Sequence, residues 1–188
     1  MPEAFLGDVL IFEDAMPVVW TAGPLIVGPA LSRLNADNHQ LLGAESSLNE
    51  VRVQDALKDE SPALIHELQR LEYKVNILLR LTAELALRNS SLPAPERVRM
   101  TSRAMEWFGA QAPAVGATGE LAVYVNSSLP QPVRIPATVA GERLEDTVRI
   151  AEIQFSGLSD AVVEQLERLI FRHHRRLVAG ARLAAHPH

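Results

Sequence analysis

The chain has 188 residues, of which 47% are hydrophobic and 22% charged, enough for one folded domain with an appendage. Its formal net charge of -5 argues against a basic surface for nucleic acid. It contains no cysteine, which excludes disulfides, thiolate catalysis and cysteine-type zinc sites. The N-terminus lacks the basic start and long apolar core of a signal peptide, and no apolar run reaches the roughly 18 residues of a membrane span. We therefore expect a cytoplasmic protein without membrane insertion.

Two short apolar runs near the N-terminus, 9–12 and 18–20, predict extended structure. Pro24 and Pro29 argue against a helix over 21–30, because proline removes a backbone donor and clashes in a helix interior. The sequence therefore predicts an N-terminal segment, residues 1–34, that contains strands.

Residues 31–60 carry a weaker helical pattern, in which leucine and valine recur at helical spacing. Gly43 interrupts this pattern, so it fits either one helix or two. Ser61 and Pro62 then supply a helix cap and a residue suited to the first helical turn. The sequence therefore predicts a helical region over 35–90 whose longest helix, the heptad segment, spans 62–88.

The heptad segment has apolar positions separated by steps of three and four residues, the spacing of a coiled-coil interface. At 1.5 Å rise per residue it would be about 40 Å long, more than a compact domain of this size needs. From Val75 onward further apolar residues flank the seam, which indicates burial on more than one side. We predict self-association through this helix; packing on the chain's own domain is the alternative. The expected interface residues are Leu64, Leu68, Leu71, Val75, Leu78, Thr82 and Leu85.

The charges beside this seam bear on the kind of oligomer. Glu67 and Glu72 occupy positions that a parallel two-stranded coil would bring together, which creates a like-charge contact. That contact counts against a simple parallel dimer. The broadly apolar second half fits burial either inside a higher oligomer or between a partner helix and the chain's own domain. We expect a homo-oligomer and favour a tetramer over a dimer. Both parallel and antiparallel packing are compatible with the pattern.

After a proline-rich linker at 92–95 the apolar period changes to that of strands. Short strands without intervening helices predict an antiparallel sheet that closes into a barrel or a sandwich. Ser159 is placed to cap a final amphipathic helix over about 160–178. We assign 95–188 to this β domain with its C-terminal helix, so the fold class is α+β. The candidate strands are 97–107, 119–125, 133–140 and 148–155.

The sequence carries no motif for reaction chemistry: it has no GxSxG, no HExxH and no phosphate-binding glycine loop with lysine. His173 and His174 are adjacent, so on a helix their side chains point about 100° apart and cannot chelate a metal as i, i+4 pairs do. The basic run 172–176 fits a helix end, where the helix dipole favours positive charge. We expect no enzymatic activity, no metal, no cofactor and no nucleic-acid partner.

The order of elements resembles a PilZ domain, the small β-barrel family of bacterial cyclic di-GMP receptors, over roughly 95–178. The phrases RLEYKVNILLRL, VRMTSRAMEW, VRIPATV and LERLIFRHHRRL resemble an atypical PilZ group of proteobacteria, including xanthomonads. The resemblance implies a PilZ-like antiparallel β-barrel with a C-terminal helix, and it implies that the N-terminal strands of 1–34 join this barrel. In this chain the fold has a long coiled-coil-like helical insertion.

Ligand-binding members of that family have an RxxxR stretch before the first barrel strand and a D/NxSxxG motif on the turn after it. The second motif falls on residues 100–105 of this sequence, where Ser102 matches its serine. Met100 replaces the acid or amide, and Met105 replaces the glycine. The resemblance therefore argues against binding of cyclic di-GMP in the usual way.

The first motif is displaced as well. Arg99 and Arg103 have its RxxxR spacing, but they lie inside the strand and turn.

We predict a non-enzymatic bacterial signalling or adaptor protein of the PilZ type that self-associates through its heptad segment and contacts other signalling proteins. The alternative is a cyclic di-GMP receptor that uses a rearranged site. The candidate residues for such a site are Arg99, Ser102 and Arg103.

Overall fold

The structure is a computed structural model that describes residues 5–7, 10–49, 66–68, 70–71, 73–75, 77–78, 81–82, 92–125 and 131–184. The described residues between 66 and 82 are helical. None of the described helices combines the length and apolarity that a bilayer crossing needs. The remaining elements are β1 (Phe12–Ala22), α1 (Gly28–Asn49), β2 (Pro95–Met100), β3 (Ala104–Phe108), β4 (Thr118–Val123), β5 (Val133–Glu145), β6 (Val148–Phe155) and α2 (Asp160–Ala184).

Six described strands close into an antiparallel barrel in the order β1-β2-β3-β6-β5-β4. The first half of β1 pairs with β2, placing Phe12 opposite Met100, and its second half pairs with β4, placing Val18 opposite Val123. The change of partner falls at Pro17, whose ring nitrogen has no proton to donate to a ladder. The expected α+β fold with an antiparallel barrel is confirmed, and the choice between barrel and sandwich is decided for the barrel.

The core fills this barrel, because alternate residues of each strand point inward. α2 covers the barrel with the face that carries Val162 and Leu166, each at most 1% exposed. Ser159 caps this helix: its Oγ accepts from the Val162 amide at 3.4 Å. The inward residues that are at most 1% exposed include Val98, Met100, Met105, Leu121, Val123, Val133, Ile135, Val139 and Ile153.

α1 differs from the sequence expectation in where it begins. It begins at Gly28, so the expectation that 21–30 is not helical was wrong from Gly28 onward. Pro29 fits the first turn, because the backbone N–H groups of a first turn have no intrahelical acceptor and proline therefore removes no hydrogen bond there. Of the two possibilities that the sequence left open around Gly43, α1 is the single helix, which continues through Gly43 without interruption. Because α1 packs on both α2 and β5 and buries Leu42, tertiary packing outweighs the cost of about 1 kcal/mol for a helical glycine.

Two asparagine side chains of α1 connect the helix to the barrel through hydrogen bonds. The Asn38 side chain donates to the Arg134 carbonyl at 2.7 Å and accepts from the Arg134 amide at 3.0 Å. One turn earlier, Asn35 donates to the Gly157 carbonyl at 2.9 Å and accepts from the Ser159 amide at 3.0 Å. α1 therefore fixes both β5 and the loop that starts α2.

The hairpin of β5 and β6 is longer than the sequence predicts. A register shift between Val139 and Gly141 lets β5 continue to Glu145 instead of ending at 140. The turn at its tip places Asp146 and Thr147 at φ 49° and 73°, the left-handed region that tight hairpin turns require. The bulge turns Arg143 and Glu145 to the outer wall of the sheet, where they meet charges from β2 and β3.

Candidate functional site

The turn between β2 and β3, which carries Ser102 and Arg103, is held by Thr101. The Thr101 amide donates to the Ala104 carbonyl at 2.9 Å. The Thr101 hydroxyl accepts from the Arg103 amide at 3.2 Å and from the Ala104 amide at 3.1 Å. Since Thr101 and Ser102 are both buried, this local network gives the turn one defined conformation.

A pocket of about 540 Å³ opens beside this turn. The N-terminal segment, the turn, β6 and α2 each contribute to its walls. Its volume lies within the range of about 300–1,000 Å³ that small-molecule sites occupy. The apolar part of the wall consists of Leu6, Leu10, Ala104, Ile170 and Phe171.

The polar groups of the pocket are few and already partly engaged. The Ser102 hydroxyl donates to the Glu167 carboxylate at 3.1 Å. The Gln154 amide nitrogen donates to the Arg103 carbonyl at 3.0 Å. The Arg103 side chain is exposed and has no ion pair within the described residues. A carboxylate on Ser102 disfavours a phosphate at that position, because like charges repel.

Arg99, the remaining candidate residue, does not line the pocket. It lies on the outer wall of the barrel, with Nε 3.5 Å from Glu106 Oε2 and Nη2 3.4 Å from Glu145 Oε2. Its guanidinium also stacks over the Phe108 ring at 4.7 Å. The structure therefore brings Ser102 and Arg103 together and places Arg99 in a separate ion network.

Glu106 is the centre of this ion network and is only 3% exposed. Arg143 Nη1 lies 2.8 Å from Glu106 Oε1 and 2.9 Å from Glu152 Oε1. The hydrogen bond to Glu106 raises the pKa of Arg143 above its ordinary value, although burial acts in the opposite direction. Sequence reasoning missed this network. The one feature of the sequence that points to it is Glu106, an acidic residue between Met105 and Trp107 in a strand otherwise made of apolar residues.

The seam of the heptad segment faces solvent in the single chain, as far as it is described. Leu71 is 63% exposed and Leu78 is 61% exposed. A continuous row of exposed leucine and valine is typical of a surface that contacts protein. Leu68, Val75 and Thr82 are exposed as well, whereas Leu64 and Leu85 lie outside the described residues.

The adjacent histidines of α2 have different surroundings. The His173 ring stacks on Phe12 with ring centroids 4.0 Å apart, and its Nε2 lies 3.3 Å from the Glu13 carbonyl oxygen. His174 is exposed. Over the described parts of the chain, no three histidine or acidic side chains form a group that could hold a metal ion.

Comparison with known proteins assigns the fold to a family. A family model described as an atypical PilZ domain, cyclic di-GMP receptor, matches residues 42–183, more than half of the chain. Among solved structures, the chain is similar to a pathogenic protein from Xanthomonas campestris, described as a new tetrameric PilZ domain self-assembled via an unusual helical bundle. The TM-score is 0.73 at 24% identity, over 92% of each chain, which shows a shared fold. No curated protein matches the chain.

Proposed function

The chain belongs to the atypical PilZ family, and from this premise we propose that it is a non-enzymatic, cytoplasmic signalling or adaptor protein that self-associates through its heptad segment. The observation that carries the proposal is the exposed apolar seam at Leu71 and Leu78. An isolated helix with such a seam is marginal in water, and packing against further copies would bury it. The similar Xanthomonas protein is described as a tetramer built through a helical bundle, which supports a homotetramer here.

The β2–β3 turn supports the proposal that cyclic di-GMP is not bound in the usual way. Met100 and Met105, which replace the acid or amide and the glycine of the family motif, are 1% and 0% exposed. Their side chains belong to the barrel core and offer a ligand no polar contact. The Ser102 hydroxyl is engaged by Glu167. We propose that the protein acts through contacts with other signalling proteins.

The second candidate function is a cyclic di-GMP receptor with a rearranged site. Two observations favour it: Arg103 is exposed and without an ion pair in the described chain, and Phe171 lines the same pocket and could stack on a base. Isothermal titration calorimetry with cyclic di-GMP tests this candidate. Heat of binding that Arg103→Ala removes would support the rearranged site, and absence of heat at millimolar ligand would eliminate it.

Light scattering coupled to size-exclusion chromatography, at several protein concentrations, tests the leading proposal. The wild-type protein should have about four times the mass of one chain. The double variant Leu71→Asp, Leu78→Asp should be a monomer, because carboxylates would enter a buried seam. Leu144→Asp is the matched control: Leu144 is 76% exposed, but it lies on the barrel hairpin. A wild-type monomer at high micromolar concentration would contradict the proposal.

A further inference from the structure

The pocket beside the β2–β3 turn has an apolar mouth as well as an apolar wall. Leu10 and Phe171, which both line it, remain 39% and 54% exposed. Ile170 on the same wall is 2% exposed, so the apolar surface continues from the mouth toward the core. An apolar surface that stays open to solvent in this way is typical of a site for a protein side chain.

Two arginines lie at the mouth of this pocket, although the chain as a whole has a net charge of -5. Arg103 lines the pocket, and Arg175 Cζ lies 5.9 Å from the centroid of the Phe171 ring. Neither guanidinium has a carboxylate partner within the described residues. The nearby carboxylate of Glu167 accepts the Ser102 hydroxyl. Two guanidiniums without a carboxylate partner in the described chain thus lie beside the apolar opening, and Glu167 is the one carboxylate among the lining residues.

We propose that this pocket docks a segment of a partner protein that inserts a leucine or phenylalanine side chain and sets acidic residues against Arg103 and Arg175. The apolar wall accounts for the anchor, and the two guanidiniums account for the acidic flanks by charge complementarity. This inference rests on the proposed adaptor function and names the kind of partner that the adaptor contacts.

A protein segment fits the pocket better than a nucleotide. Leu6, Leu10 and Ile170 offer no hydrogen bond to the edge of a base. The Glu167 carboxylate lies where a phosphate would have to approach Ser102, and it repels an anion there. A peptide can place its apolar side chain against Leu10 and Phe171 and its carboxylates at Arg103 and Arg175. Arg175 lies about one helical turn beyond Phe171 on α2.

The test uses the full chain and an array of fluorescein-labelled 12-residue peptides, read by fluorescence anisotropy. Each peptide has one or two Phe or Leu anchors, at varied positions, among Glu and Asp. One matched set has Lys in place of the acids, and a second has Ala in place of the anchors. We expect the best acidic, anchored peptides to bind at least about tenfold tighter than both of their matched counterparts, and less tightly as salt rises.

Variants locate the binding on the structure. Arg103→Glu and Phe171→Ala should each weaken the best peptide by about tenfold or more. Both side chains are exposed, so the fold should survive, which circular dichroism verifies. Arg33→Glu is the matched control, because Arg33 is exposed on α1 and does not line the pocket; it should bind as the wild type does.

Three results would overturn the docking site. They are absence of any acidic, anchored peptide that binds more tightly than roughly 1 mM, equal binding of the Lys set, and unchanged binding by Arg103→Glu. Binding of cyclic di-GMP that Arg103→Glu and Phe171→Ala both abolish would also overturn it, in favour of a nucleotide site. A protein that is oligomeric but binds no peptide defeats this inference alone, whereas a monomer that binds peptide defeats the proposed self-association alone.

Discussion

Replacement of Arg143 by methionine should destabilise the barrel more than its partly exposed position suggests. The variant Arg143→Met keeps most of the apolar stem and removes the donor that lies 2.8 Å from Glu106 Oε1. The Glu106 side chain is 4% exposed, so water cannot replace that donor, and Arg99 approaches it only to 3.5 Å. Removal of one partner of a buried pair costs about 3–5 kcal/mol. Because the Arg143 side chain is itself 34% exposed, we expect a lower value of about 2–3 kcal/mol.

Urea unfolding followed by circular dichroism measures this loss, and a thermal melt should fall by about 5–10 °C. Arg168→Met is the control, because its pair with Glu164 at 2.6 Å is exposed on both sides; it should cost less than about 0.5 kcal/mol. Glu106→Gln combined with Arg143→Met should lose less than the two single variants together, since the pair is then removed as a unit. A loss for Arg143→Met no larger than that of the control would refute the reasoning.

The same pair predicts how this stability depends on pH. The folded-state pKa of Arg143 is raised by its hydrogen bond to Glu106, so its stabilising contribution is fully present below the unfolded value. That contribution is lost only as pH rises through the raised folded value, far into the alkaline range. The difference in unfolding free energy between wild type and Arg143→Met should therefore not fall between about pH 7 and about pH 9. A marked fall over that interval would show that another group carries the stabilisation.

Three further substitutions concern α1 and its attachment to the barrel, and urea unfolding measures each of them. Gly157→Ala should destabilise the protein by about 1–3 kcal/mol, because Gly157 has φ +68° and a Cβ would lie 2.7 Å from Leu31 Cδ2. Gly43→Ala should instead stabilise it by up to about 1 kcal/mol, because a Cβ there meets nothing within 4 Å. A Gly157→Ala variant more stable than the Gly43→Ala variant would contradict both assignments. Asn38→Ala should cost about 2 kcal/mol, because it leaves the Arg134 amide and carbonyl without their side-chain partners, and a loss below about 0.5 kcal/mol would mean that water replaces them.

The sequence predicted strands well where alternation is uninterrupted and pairing needs no irregularity. The candidate 148–155 agrees with β6, whose burial alternates along most of its length. The candidate 97–107 instead contains two strands, because Thr101 turns the chain between them. The predicted strand 133–140 is shorter than β5, which continues to Glu145. The extension depends on a bulge after Val139, and the only local sequence feature of that bulge is the glycine that follows it.

The candidate site was accessible to sequence reasoning only in part. Ser102 and Arg103 could be placed on a turn because the family motif falls there. Glu167, which engages the Ser102 hydroxyl, lies 65 residues further along the chain, and no local pattern connects the two. The same holds for Arg143, which meets Glu106 only because the hairpin of β5 and β6 continues past its bulge. Contacts that depend on closure of the barrel are therefore the part that a single sequence does not reveal.

The two proposed surfaces come from different parts of the chain, and their separation has a thermodynamic consequence. The heptad segment is inserted between α1 and β2, whereas the pocket is lined by the N-terminal segment, the β2–β3 turn, β6 and α2. Self-association through the first surface would present several copies of the second to one partner. A partner with two acidic, anchored segments could then bind the oligomer about 10²–10⁴ times more tightly than it binds one chain, without any new contact, if the geometry lets both segments engage. A single-segment peptide gains nothing from the oligomer, so its affinity should be the same for the wild type and for Leu71→Asp, Leu78→Asp. The assembly would therefore control affinity while the pocket controls the choice of partner.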